Sequence, residues 1–342
     1  MIFTYKIIFV LTLFMGTMIS ISSYSWMGTW MGLEINLLSF IPLLKSKNNP
    51  FSSESSIKYF LVQALASTIF LFSIMMIMMT SNLISDILNI NMFLIMMVNS
   101  SLLLKMGAAP FHFWFPEIIE GMSWINSLVL MTWQKIAPLM LLSYTIKNTT
   151  YIIIIIMIST MVGSLGGLNQ ISLRKIMAYS SINHLGWMIS SFLYSEMIWL
   201  IYFSTYTFIS ITLIYMLNSF KIFYLKQIYS FMNNNLLIKF MLMMNLLSLG
   251  GLPPFFGFLP KWMIIQFLST NYSFLLLFMM MMTLITLYFY LRIAYTSLII
   301  SHDELNFISM MNLEIKMKML MTILTFISIS GMIICTILFN LL

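Results

Sequence analysis

Apolar residues in this chain neither alternate with polar ones nor keep to one helical face. They fill runs of about twenty residues, and the polar positions collect in short gaps between the runs. Runs of that length match a hydrocarbon layer ~30 Å thick crossed at ~1.5 Å per residue. The pattern predicts eleven helical spans, near 2–20, 26–44, 58–80, 87–116, 123–145, 150–169, 174–194, 196–220, 236–270, 274–299 and 318–340. Segment 236–270 reads either as one broken helix or as two elements. The first run has the length of a span, no small-residue cleavage motif follows it, and ten similar runs come after it, so it is read as span one and not as a signal peptide. The expected fold is all-α and polytopic: a single transmembrane domain over residues 1–342.

Composition sharpens this reading. The chain is 61% hydrophobic and only 7% charged, whereas a soluble domain is about 25% charged. A net charge of +7 would suggest nucleic acid in a soluble protein; here the basic residues sit at the ends of apolar runs, and no nucleic-acid partner is expected. With the N-terminal side called the inner side, that side and the loops returning to it carry Lys6, Lys45, Lys47, Lys58, Arg174, Lys175, Lys221, Lys226, Lys239, Arg292, Lys316 and Lys318. The opposite loops carry Lys147, Asp86 and Glu196. The positive-inside rule therefore places the N-terminus inside and the C-terminus outside. Cys335 is the lone cysteine, and His112, His184 and His302 lie far apart, so no metal site is expected. No glycine-rich nucleotide loop, CxxC pair or haem-spaced histidine pair occurs.

Two proline-rich spans align with each other. Gly107, Pro110 and Pro116 match Gly251, Pro254 and Pro260 at a single offset of 144 residues, with Phe111 matching Phe255. The two spans are fourth and ninth, so they cross in opposite directions, and inverted repeats are expected at approximately 26–145 and 174–299. Inverted repeats built around interrupted helices are typical of transporters. Proline removes a backbone hydrogen bond, and the carbonyls it frees at membrane depth need water or polar partners.

Three lysines do not fit at the membrane edges. Lys135 lies about twelve residues, roughly 18 Å, into its span; Lys105 immediately precedes the first break and Lys261 immediately follows the second. Glu34 lies eight residues into the second span. A charge at a helix centre costs about 2.5–3.5 kcal/mol on insertion scales and marks ion or proton pathways. Burial disfavours the charged form of any ionisable group, so such a set can exchange protons. Lys105 and Lys261 could instead snorkel to an interface, and Glu34 could be a structural counter-charge. His112 and His184 are either relay groups or histidines bonded to local polar partners. Glu117 and Glu120 are expected to cap the fourth span. The methionines read as flexible apolar filler.

The segments Trp30-Met-Gly-Leu-Glu34, Lys105-Met-Gly-Ala-Ala-Pro-Phe-His-Phe-Trp-Phe-Pro116, Thr132-Trp-Gln-Lys135, Leu173-Arg-Lys-Ile-Met-Ala-Tyr-Ser-Ser-Ile-Asn-His184 and Gly250-Gly-Leu-Pro-Pro-Phe-Phe-Gly-Phe-Leu-Pro-Lys261 carry a resemblance. Over essentially its whole length the chain resembles the chain 2 family of respiratory NADH–ubiquinone oxidoreductase (complex I), antiporter-like membrane subunits encoded in mitochondria. The resemblance implies inverted five-helix repeats with two broken helices and a proton path through Glu34, Lys105, Lys135 and Lys261. It implies the mitochondrial inner membrane, with the N-terminus in the matrix and the C-terminus in the intermembrane space. It also implies that FMN, iron–sulfur clusters and ubiquinone belong to other subunits, leaving none in this chain. Partners would be the other membrane-arm subunits and phospholipids such as cardiolipin. Two other readings stay open: a free-standing cation/proton antiporter, which lacks a second buried carboxylate beside Glu34, and a structural scaffold whose charges only pair with neighbours.

Overall fold

Hydrocarbon offers no hydrogen-bond partner to an exposed backbone group, so a chain this apolar closes its backbone bonds within helices. A computed structural model describes residues 2–45, 49–80, 92–146, 149–231, 236–299 and 319–331. The described residues are helical nearly throughout. In chain order the helices are α1 Ile2–Ser22, α2 Trp26–Leu44, α3 Pro50–Thr80, α4 Met92–Met106, α5 Trp114–Gly121, α6 Trp124–Met131, α7 Trp133–Thr145, α8 Thr149–Gly167, α9 Leu173–Ser191, α10 Glu196–Ser219, α11 Leu225–Phe231, α12 Leu236–Gly250, α13 Phe258–Asn271 and α14 Ser273–Ile299. A further apolar helix, α15, runs over Met319–Gly331.

Described helices fall on each of the eleven expected spans, on three of them as pairs and on the last over Met319–Gly331 alone. The fourth is α4 and α5, the fifth α6 and α7, and the ninth α12 and α13. The fourth and ninth breaks fall where glycine and proline predict them. The fifth was expected to be continuous; it is interrupted at Thr132, with φ −113° and ψ −73°. The Thr132 hydroxyl bonds back to the Leu128 carbonyl at 2.7 Å, and Pro138 lies inside α7. A back-bonding threonine favours a bend at the interruption. The short helix α11 was not anticipated. Lys47, Asp86, Lys147, His302, Asp303, Glu304, Lys316, Lys318, Cys335 and the end of the last span lie outside the described residues.

The chain divides into two compact units, Met1–Ile155 and Ile156–Leu342. In the first, α1 and α2 form a hairpin whose closeness depends on glycine. A Cβ on Gly32 would stand 2.5 Å from the Ser20 amide nitrogen, and one on Gly16 2.9 Å from that of Asn36. Small residues let membrane helices approach in this way. Helix α3 packs on α2, α4 and α5, and α7 on α4. In the second unit α10 packs against α9, α12 and α13, and α14 against α12. Helix α9 is the least apolar of the spans in composition yet is buried along nearly its whole length. Hydroxyls inside both units bond back to carbonyls of the preceding turn, as Ser73 does to Phe70 (2.7 Å) and Ser159 to Ile156 (3.0 Å).

The hairpin contact is testable. Gly32→Val must push α1 from α2, an overpacking cost of about 1–3 kcal/mol. Thermal unfolding in detergent is expected to show a lowered midpoint, whereas Met31→Val on the exposed face of α2 is expected to leave it unchanged.

Candidate functional site

The breaks leave carbonyls without helical partners, and specific side chains take them up. In the first unit α4 ends at Met106, and the chain turns through Gly107, whose φ of +73° suits a residue without Cβ. The Leu104 carbonyl accepts from the Trp114 indole at 3.2 Å, and the Lys105 carbonyl from the Gln63 amide at 3.1 Å. In the second unit α12 ends at Gly250, and Gly251 turns with φ +80°. There the Gly250 carbonyl accepts from Lys261 Nζ at 2.9 Å. Pro116 and Pro260 each occupy the first turn of the half-helix that follows, where a missing N–H leaves nothing unpaired. Pro110 and Pro254 lie within the breaks themselves.

This geometry relates the two lysines in a way their sequence positions conceal. Lys105 precedes its break and Lys261 follows its own, yet both ammonium groups belong to the C-terminal end of a first half-helix. Lys105 is in the last turn of α4. Lys261 folds back over Gly251, so closely that a Cβ there would meet Lys261 Cδ at 2.9 Å. A cation at a helix C-terminus is favoured by the helix dipole, by about 0.3–1 kcal/mol when exposed and up to ~2 kcal/mol when partly buried.

All three central lysines are buried: Lys105 is 7%, Lys135 1% and Lys261 5% exposed. Each lies against an aromatic face. Lys105 Nζ is 5.7 Å from the Phe70 ring centroid, Lys135 Nζ 5.2 Å from Phe115 and Lys261 Nζ 5.9 Å from Trp187. Such contacts partly replace lost hydration. Phe115 also fills the space a Gly107 side chain would need, 3.0 Å from that Cβ position. The first break therefore touches Lys135 through this ring. Lys135 itself stands three residues after the Thr132 interruption.

The Glu34 carboxylate lies within electrostatic reach of Lys105, but no ion pair forms between them. The ion pairs among the described residues both involve Lys58, with Glu54 at 3.1 Å and Glu117 at 3.2 Å. Glu34 Oε2 and Lys105 Nζ are each buried without a hydrogen-bond partner. Two residues beyond Glu34, the Asn36 side-chain Oδ1 accepts from the Gln134 amide at 2.9 Å, which ties α2 to the turn carrying Lys135. Asn99 and Thr145 join α4 to the other end of α7.

His112 sits in the first break with Nδ1 3.2 Å from the Pro110 carbonyl oxygen, a local bond of the kind its position allowed. His184 Nδ1 is 2.8 Å from the Tyr202 hydroxyl. Glu117 is exposed and tied to α3 through Lys58. Lys239, expected at the membrane edge, is 3% exposed near the start of α12; a long stem can bury against apolar neighbours. Sequence patterns gave no warning of this or of the interruption before Lys135. Among the described residues no group of three His, Cys, Asp or Glu converges to hold a metal.

Residues 23–286 match the family model described as NADH:quinone oxidoreductase/Mrp antiporter, TM. The chain is 52% identical over 328 residues to NADH-ubiquinone oxidoreductase chain 2 of Anopheles gambiae, covering 95% of each. It is 50% identical over 332 residues to that of Locusta migratoria (97% of this chain and 96% of the relative). To that of Lemur catta it is 40% identical over 299 residues, covering 86% of each. The fold is similar to a chain of respiratory complex I from Thermus thermophilus, with TM-score 0.84, 20% identity and coverage of 95% of this chain and 77% of that one. A chain of the Mrp complex from Dietzia sp. gives TM-score 0.78 at 17% identity, covering 86% of this chain and 60% of that one.

The second break supplies a graded test. Gly251→Ala forces a side chain into a left-handed backbone and against Lys261. Gly257→Ala places a Cβ 1.9 Å from the Ser248 carbonyl oxygen, while a Cβ on Gly250 meets nothing closer than 3.5 Å. Thermal stability is expected to fall for the first two, by about 1–3 kcal/mol from backbone strain at Gly251 and by more at Gly257. Gly250→Ala is expected to match the parent.

Proposed function

The chain belongs to the NADH:quinone oxidoreductase/Mrp antiporter membrane family, and on that premise we propose that it is a core membrane-arm subunit of a proton-pumping NADH:ubiquinone oxidoreductase. It moves protons from the mitochondrial matrix to the intermembrane space while NADH oxidation and ubiquinone reduction proceed in other subunits. FMN and iron–sulfur clusters belong to those subunits. Its partners are the neighbouring membrane-arm subunits and phospholipids such as cardiolipin. The basic inner loops face the matrix, so the N-terminus lies in the matrix and the C-terminus in the intermembrane space.

The observation that carries this reading is the arrangement of Glu34 and Lys105: a buried carboxylate oxygen and a buried ammonium, electrostatically coupled and not ion-paired. A closed salt bridge would hold its proton. An open pair leaves the ammonium sensitive to whatever changes the carboxylate, because interaction at low dielectric is strong. Protonation or movement of Glu34 weakens the hold of Lys105 on its proton, which passes toward Lys135. Lys261, tethered to the Gly250 carbonyl, serves as the relay of the second unit. His112 and His184 are further relay groups in this scheme. The titrations belong to the set rather than to single residues.

In the intact respiratory assembly reconstituted in vesicles, Lys135→Met is expected to remove this subunit's share of pumping, seen as fewer protons translocated per NADH oxidised. Amounts of assembled complex on native gels are expected to be unchanged. Unaltered stoichiometry would remove Lys135 from the path, and loss of assembly with unaltered stoichiometry in the remainder would favour a scaffold.

A further inference from the structure

A cavity in the first unit is used by none of the lysine stations. Gly16 and Gly32 let α1 and α2 approach closely, and the short turn Ser23-Tyr24-Ser25 joins the two helices. Helix α7 also packs on α1, with Trp133 near its start edge-on to Phe14 at 4.4 Å. Where α1 and α7 end and α2 begins, the three elements enclose a cavity of ≈ 360 Å³. Small-molecule sites occupy about 300–1,000 Å³, so this volume is enough to hold a ligand.

The lining narrows what that ligand can be. Leu141 and Thr29 form a buried floor, while Tyr24 and Tyr144 are exposed at the rim. Trp26 is the third aromatic of the lining, and the buried Phe70 supports its ring edge-on at 6.4 Å. Ser25 Oγ accepts from the Gly28 N–H at 3.2 Å, which leaves its own proton to donate. Among the described residues the lining carries no charged side chain. An aromatic belt accounts for rings at the ends of membrane helices, but not for a hollow with a buried floor between them. Three aromatic rings without a carboxylate suit a weakly hydrated cation rather than an anion or a metal ion. A primary ammonium holds its water firmly, whereas a quaternary ammonium has no N–H to satisfy. The Ser25 hydroxyl beside the rings suits a phosphate oxygen.

We propose that this cavity is a quaternary-ammonium site that takes the headgroup of a phosphatidylcholine from the outer leaflet. The trimethylammonium group sits among Tyr24, Trp26 and Tyr144, and the phosphate meets Ser25. A zwitterion brings no net charge to an uncharged lining. The inference rests on the transmembrane placement proposed above, which puts the end of α1 at the outer leaflet.

The test uses the intact NADH-oxidising assembly purified in detergent and a phosphatidylcholine with a photoreactive headgroup, the labelled peptides being mapped by mass spectrometry. Label is expected on the α1–α2 turn or the end of α7. Unlabelled phosphatidylcholine is expected to displace it, and phosphatidylethanolamine and cardiolipin at the same concentration are not. Free choline at that concentration is also expected to leave it in place; displacement by choline overturns the lipid and gives the site to a soluble quaternary ammonium. Trp26→Leu and Tyr144→Leu are each expected to lower the label about 2- to 30-fold, the worth of one cation–π contact, and Trp26→Phe to retain most of it. Equal displacement by the ethanolamine lipid, label unchanged in both leucine variants, or label found only elsewhere overturns the site. The competition is read on the parent, so it decides even where a leucine variant fails to assemble. Pumping is not read, so loss of the site leaves the proposed function standing. Absence of this chain from the NADH-oxidising assembly defeats that function, and with it the placement on which the site rests.

Discussion

A helix broken in the hydrocarbon exposes carbonyls that must find donors inside the protein, and both central breaks in this chain are built around that requirement. At the first break the donors are the Trp114 indole and the Gln63 amide, which leaves the Lys105 ammonium uncommitted. At the second the donor is the Lys261 ammonium itself. One structural problem is solved in two ways, and the difference leaves Lys261 held at its break and Lys105 without a hydrogen bond at its own. The aromatic faces of Phe70, Phe115 and Trp187 do for all three lysines part of what water would do.

Much of this was legible in the sequence, for a physical reason. Span length and loop charge are set by bilayer thickness and the positive-inside rule, both readable from residue type alone. The fourth and ninth breaks were legible because glycine and proline act on their own backbone, whatever packs around them. The interruption at Thr132 was not, because no glycine or proline stands at the break, where a threonine hydroxyl bonds back to the Leu128 carbonyl. The burial of Lys239 and the bond between His184 and Tyr202 were hidden for another reason: each depends on how separate helices are juxtaposed, which no local pattern encodes.

Helix α9 shows how composition can mislead about depth. Its arginine, lysine, serines, asparagine and histidine make it the least apolar span, yet it is buried along nearly its whole length. The two facts agree once its neighbours are considered. A polar helix is affordable in a membrane only when protein surrounds it, so apolar α10 and α14 shield it from lipid. The serine hydroxyls satisfy themselves on the preceding turn.

The tether between Lys261 and Gly250 has one more consequence. An ammonium has three N–H donors and a neutral amine has two, so the bond to the Gly250 carbonyl survives the loss of a proton. The side chain stays in place whether loaded or empty, and Gly251 holds the backbone turn that lets it do so. Lys105 has no such anchor. In the proposed relay, Lys261 would act as a fixed terminal whose occupancy changes without movement, and Lys105 as a contact free to swing.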